Sequence, residues 1–229
     1  MDRRGFLTTG LAAGVGVVSA GNISAGKQSS GKIKIVGISC SPRKGKTTAT
    51  AVNVALEAAK TVNSRIETQL LDLGGMNISG FNGGARPADA ELPKDDFELK
   101  VLPMLRDPVP DGLIIGSPSY FRSMSSLCKA FLERIAVLRS PTLLLANKPV
   151  GVLSVGAYRN GGQELVIEQI QTVMLCHEVM IVGGKPPAHQ GATLWNAYND
   201  DIMKDELGIE SAKKLGLRVA EAALLLAQK

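Results

Sequence analysis

Residues 33–48 read IKIVGISCSPRKGKTT: a strand, a tight polar turn and the start of a helix in one run. Positions 33–38 are rich in β-branched apolar residues, the composition of a central parallel strand. Ser39, Ser41, Pro42 and Gly45 then break the pattern. Thr47 or Thr48 is placed to cap a helix whose apolar positions Ala51, Val54, Ala55, Ala58 and Val62 follow at helical spacing. A strand that turns straight into a helix points free backbone N–H groups at whatever occupies the turn. Hydroxyls and the cations Arg43, Lys44 and Lys46 surround that point. Together they describe a phosphate site in which at least one cation makes contact.

The rest of the chain bounds the owner of that phosphate. Its 229 residues, 45% hydrophobic and 4% aromatic, suffice for one α/β domain with a full core. The formal charge of +5 suits an anionic ligand. Nucleic acid is not expected, because the cations are scattered and only three Tyr and one Trp are available for base stacking.

Residues 1–20, MDRRGFLTTGLAAGVGVVSA, stand apart as a leader with a charged start, an apolar run and a small-residue cleavage site. The cut is expected after Ala20 or after Ala25. The run falls short of the ~20 apolar residues that a membrane span requires. Arg3-Arg4-Gly5-Phe6-Leu7 resembles the twin-arginine export signal, which implies a periplasmic protein exported already folded. An uncleaved leader would leave the chain cytoplasmic. Residues 21–32 read as a Gly/Ser-rich linker, and residues 33–229 as the folded domain.

Along that domain strands and helices alternate. A second strand is expected at 66–71 and an irregular stretch at 74–94. A helix follows at 95–106, and a third strand at 111–117. Met124, Leu127, Cys128, Phe131, Leu132, Ile135 and Leu138 mark an amphipathic helix. A fourth strand is read at 148–155, a helix at 163–175, a fifth strand at 179–182 and a last helix at 205–227. This alternation predicts a doubly wound α/β sheet with helices on both faces. Such sheets bind ligands at the carboxyl ends of their strands.

The loops at those ends are unusual, as that rule requires. After the third strand comes GSPSYFRS (116–123), where Pro118 stiffens the chain and Tyr120 and Phe121 offer flat apolar surface. One of that pair is expected in the core and the other against a ring. After the fourth strand comes GAYRNGGQE (156–164), whose Gly156, Gly161 and Gly162 would let backbone approach a planar ligand. A phosphate site, an aromatic shelf and a glycine shelf describe a nucleotide-like ligand with a large planar ring.

GISCSPRKGKTT (37–48), DGLIIGSPSYF (111–121) with LCKAFLER (127–134), and GAYRNGGQE (156–164) resemble the NADPH-dependent FMN reductase-like branch of the flavodoxin-like superfamily. The iron–sulfur flavoproteins and multimeric flavodoxins lie near that branch. The resemblance covers about residues 32–185 and implies a five-stranded parallel sheet in the order 2-1-3-4-5. It implies that Ser39, Ser41, Arg43, Lys46, Thr47 and Thr48 hold the FMN phosphate. It implies that Pro118, Ser119, Tyr120, Phe121, Gly156, Ala157, Tyr158 and Gly162 flank the isoalloxazine. NAD(P)H is the implied co-substrate, and a small-molecule acceptor or a redox protein the implied partner. A homodimer or homotetramer is implied, with 74–94 as the expected contact.

One departure is plain. The iron–sulfur flavoproteins carry a compact cysteine motif after the second strand, and residues 77–94 contain no Cys. Thiolates hold such clusters, so none is expected. Of the three cysteines, Cys128 and Cys176 are read as buried thiols, and Cys40 as a small residue that fits the turn.

The expected function is an FMN-dependent oxidoreductase passing electrons or hydride to a quinone or flavin. The flavin carries the chemistry, and no side chain is assigned a catalytic role. A non-enzymatic carrier is the alternative, although such carriers are often acidic. Gly45-Lys46-Thr47 also matches the end of a P-loop, but Cys40 stands where that motif begins with Gly. Arg159 is read either as exposed or as paired with the phosphate of a second nucleotide. Glu164 is read as a first-turn helix residue, and His177, His189 and Trp195 as structural.

Overall fold

The computed structural model describes residues 31–81, 95–197 and 199–227. The leader, nearly all of the linker and residues 82–94 of the irregular stretch lie outside them. Strand β1 (Ile33–Ser39) lies inside the sheet, paired in parallel with β2 (Ile66–Asp72) and β3 (Gly112–Tyr120). Beyond β3 comes β5 (Pro149–Gly156), again parallel, with Pro118 opposite Val155. A two-residue strand, β4 (Ser123–Met124), folds back antiparallel on the end of β3. The fifth parallel strand is broken. β6 (Met180–Ile181) pairs with the start of β5, and β7 (Ala192–Trp195) with its end. The path β2-β1-β3-β5-β6 is the 2-1-3-4-5 order of the major parallel strands.

Helices α1 (Thr47–Lys60) and α5 (Glu206–Leu226) cover one face. Ala51, Val52, Ala55 and Leu56 pack there with Ala212, Leu215 and Val219. Helices α3 (Ser126–Arg134) and α4 (Gln163–Leu175) cover the other, through Phe131, Val166, Ile167 and Ile170. Glycines let α1 sit close to the sheet. A Cβ on Gly37 would meet Val52 Cγ1 at 2.5 Å, and one on Gly116 would meet Val52 Cγ2 at 2.5 Å. Val52 therefore spans β1 and β3 fully buried, a burial worth roughly 1.5–3 kcal/mol.

Several elements depart from their expected form. The helix expected at 95–106 is a π-helical turn, Phe97–Val101, followed by α2 (Leu102–Arg106). Pro103 at the start of α2 lacks the N–H that a continuous helix would use. The amphipathic run from Met124 to Leu138 holds only α3 and a 3-10 extension, Ile135–Arg139, because Ser125 caps the helix and Met124 belongs to β4. The third strand runs on through Pro118, Ser119 and Tyr120. β7 lies beyond the expected fifth strand, because the residues between its two halves read as its end. Among the described residues no helix is long and apolar enough to cross a membrane.

Candidate functional site

The carboxyl ends of β1, β3 and β5 lie side by side, with Ser39 opposite Gly116 and Pro118 opposite Val155. The turn after β1 is held from several directions. Cys40 N–H donates to Gly116 O at 2.8 Å. Cys40 O accepts from Ser125 Oγ at 2.6 Å, and the same Oγ accepts from Cys128 N–H at 3.0 Å as the α3 cap. Asp72, at the end of β2, accepts from Gly45 N–H at 2.7 Å and from Gly74 N–H at 3.1 Å. Ser41 Oγ accepts from Arg43 N–H at 3.2 Å. Burial, with the Cys128 thiol beside it, holds the Cys40 thiol well above its ordinary pKa. It stays neutral and packs.

This turn feeds α1 without a lid. Lys46 is the N-cap residue and makes no side-chain capping bond, and the first turn of α1 carries no acidic residue. Thr47 and Thr48 are thus helical and buried rather than capping, because Lys46 already has the extended backbone of a cap. The N–H groups of that first turn have no intrahelical partner. At the end of β1, Ser39 Oγ is fully buried and has no hydrogen-bond partner among the described residues. An uncapped helix start, an orphaned buried hydroxyl and an exposed Lys46 fit a phosphate dianion. Arg43 is also exposed, but it pairs with Asp200 at 2.8 Å. The hydrogen bond from Asn196 and then the Arg43 guanidinium hold Asp200 below the usual carboxylate range.

The other two loops meet over the sheet end. Ser119 Oγ donates to Gly161 O at 2.6 Å, tying them together. Phe121 and Arg122 form the two-residue tip of the β3–β4 hairpin, both at positive φ (51° and 64°). Phe121 is fully exposed and Tyr120 is 41% exposed. Neither joins the core, because the hairpin carries both past the covering helices. Tyr158 and Ala157 are exposed as well.

Within the glycine shelf, Gly156 has a structural partner of its own. A Cβ on Gly156 would meet Gln163 Nε2 at 2.4 Å, so this glycine makes room for a side chain. The buried Gln163 amide donates to Tyr158 O at 2.7 Å and to Leu194 O at 3.2 Å, which fixes the loop from below. Gly162, at φ 89°, is the N-cap of α4, and Glu164 lies in its first turn. Trp195 Nε1 donates to Ala157 O at 3.1 Å.

The structure therefore brings the three predicted loops to one end of the sheet. Asp72, Ser125, Gln163 and Asp200 escaped sequence reading. Ser125 alone had a local signal, a hydroxyl three residues before Cys128 at a helix start. Cys176, expected buried, is exposed just past the end of α4. His177 beside it is buried, and burial with nearby Arg139 pulls its pKa down to about 4.

Comparison with known proteins agrees with this geometry. Residues 33–193 match the family model of NADPH-dependent FMN reductases, and the chain belongs to that family. An iron–sulfur flavoprotein of Methanocaldococcus jannaschii is 35% identical over 85% of this chain and 99% of its own length. An NAD(P)H dehydrogenase (quinone) of Archaeoglobus fulgidus is 31% identical over 49% of this chain and 59% of its own. Among solved structures, an NADH:FMN oxidoreductase in its apo form shares the fold, with a TM-score of 0.58 at 19% identity. The match covers 85% of this chain and 90% of that one.

Proposed function

We propose, from that membership, that the chain binds FMN and passes hydride or electrons from NAD(P)H or another donor to a quinone or a second flavin. The observation that carries this reading is the uncapped start of α1, on the same turn as the orphaned Ser39 hydroxyl. Ser39, Ser41, Arg43, Lys46, Thr47 and Thr48 would hold the phosphate. Pro118, Ser119, Tyr120, Phe121, Gly156, Ala157, Tyr158 and Gly162 would border the ring. When bound, FMN would supply the redox chemistry, and the protein its position. The names of the relatives support a flavoprotein and a quinone acceptor.

The cysteines favour a flavin without a cluster: residues 77–94 hold none, and Cys40 and Cys128 are buried in the core. We propose export by the twin-arginine route to the periplasm on the strength of Arg3-Arg4-Gly5-Phe6-Leu7. The same leader favours one second reading. NAD(P)H is a cytoplasmic reductant, so an exported flavoprotein would take electrons from a protein and act as a carrier. A homodimer or homotetramer is the proposed assembly.

An absorbance spectrum of protein isolated from the periplasm tests flavin and export together. A yellow protein that releases FMN on denaturation is expected. A colourless protein that ignores FMN but binds Mg-ATP would replace the flavin reading with a P-loop one. Steady-state oxidation of NADPH with a quinone separates enzyme from carrier.

A further inference from the structure

The hairpin tip contradicts local preference. Left-handed backbone costs an L-residue roughly 1–2 kcal/mol. Two-residue hairpin turns with both φ positive usually carry Asn or Gly. Here the two positions are Phe121 and Arg122. Strain of this kind gathers where a side chain must be aimed. The tip lays the Arg122 stem over Gly162, where a Cβ would come within 2.8 Å of Arg122 Cα.

Arg122 thereby lines a cavity of about 250 Å³ together with Arg159, Asn160, Gly162, Glu164 and Thr193. Arg159 reaches it from the opposite loop. Its guanidinium carbon lies 4.4 Å from the centroid of the Trp195 ring. Stacking of this kind fixes the guanidinium plane and leaves its edge N–H donors available. Arg43, Arg134 and Lys148 are each paired with a carboxylate. Among the described residues neither Arg122 nor Arg159 has such a pair. Glu164 in the lining is engaged by Gln190 Nε2 at 3.1 Å. Two guanidinium groups with no carboxylate pair among the described residues thus line one small cavity beside the proposed ring site, with the Glu164 carboxylate in its wall.

We propose that Arg122 and Arg159 form a subsite for a phosphate of the dinucleotide cosubstrate. The inference rests on the FMN reading and deepens it. Arginine forks match phosphate oxygens in pairs. The phosphate has two possible sources: the pyrophosphate common to NADH and NADPH, or the 2′-phosphate of NADPH alone.

The test uses the full FMN-loaded chain, titrated calorimetrically with ADP-ribose and with 2′-phospho-ADP-ribose. Arg159→Ala removes one fork, and Arg122→Asn removes the other with a residue that tolerates the turn. Each variant is expected to weaken binding by about tenfold or more while flavin content stays unchanged. Added salt should weaken binding to the wild type more than to the variants. A loss confined to the 2′-phospho compound assigns the subsite to that phosphate, and an equal loss for both probes assigns it to the pyrophosphate. Equal affinity across wild type and variants, or no binding of either probe to the yellow protein, overturns the subsite. A wild type that holds no FMN overturns instead the reading beneath it.

Discussion

The two ends of the candidate site are built in opposite ways. At the phosphate end, the turn after β1 is cross-linked by Asp72, Ser125, Gly116 and the Arg43–Asp200 pair. Its hydroxyl side chains are buried. At the ring end, Tyr120, Phe121 and Tyr158 stand exposed, and two loop residues sit in strained backbone. The first end is assembled by the fold before any ligand arrives. The second leaves apolar and cationic groups facing outward, ready for a molecule that comes and goes. A tightly held cofactor and an exchanging cosubstrate call for this division.

The largest break in the comparison should come from Ser125→Ala. It removes the α3 cap and strands the buried Cys40 carbonyl, which together should cost about 3 kcal/mol in urea unfolding. The same variant should lose flavin on gel filtration. A loss below 1 kcal/mol would mean that the phosphate end is not braced as described.

The next effect isolates α4, whose amino end carries the ring-side loop and whose far end is followed by buried His177. His177 titrates near 4 in the folded chain against about 6.5 when unfolded. The unfolded state therefore takes up the proton first as pH falls. Stability is full above pH 6.5 and drains away toward pH 4, by about 2 kcal/mol between pH 7 and 5. His177→Gln should flatten that slope, as read from urea midpoints at several pH values.

Phe121→Asn should act in the other direction. Asn tolerates positive φ, so the variant should gain about 1 kcal/mol of stability while turnover with NADPH falls. Gain without loss of turnover would deny the hairpin tip a functional purpose. The smallest effect belongs to Asp200→Asn. The pair with Arg43 is exposed, and its removal should change stability by less than about 0.5 kcal/mol. The freed guanidinium should slow FMN dissociation a few-fold at low salt, measured by fluorescence after dilution.

Much of this molecule was legible in the chain. The strand-turn-helix run, the amphipathic repeats and the punctuating loops carry local signals, and local signals survive in sequence. They placed the alternating strands and helices and brought the three loops to one end of the sheet, while the strand order was implied by the family resemblance. What escaped depends on distant partners. Asp72, Asp200 and Gln163 matter because of who lies opposite them, and no spacing rule reports that. Gly156 shows the same limit: its missing Cβ was legible, but its occupant, Gln163, was not. The break in the fifth strand was hidden because residues 182–191 hold ordinary turn residues, and nothing in them announces that the strand resumes.

That broken strand also governs what the sheet can do to its neighbours. A continuous edge offers a row of unpaired amides and carbonyls to any passing chain, the usual start of runaway association. Here that border is a two-residue strand, an excursion, and a four-residue strand. Short, separated pieces of this kind blunt the template that a continuous edge would present. The interruption therefore confines the sheet's one continuous edge to β2, on the side away from this broken border.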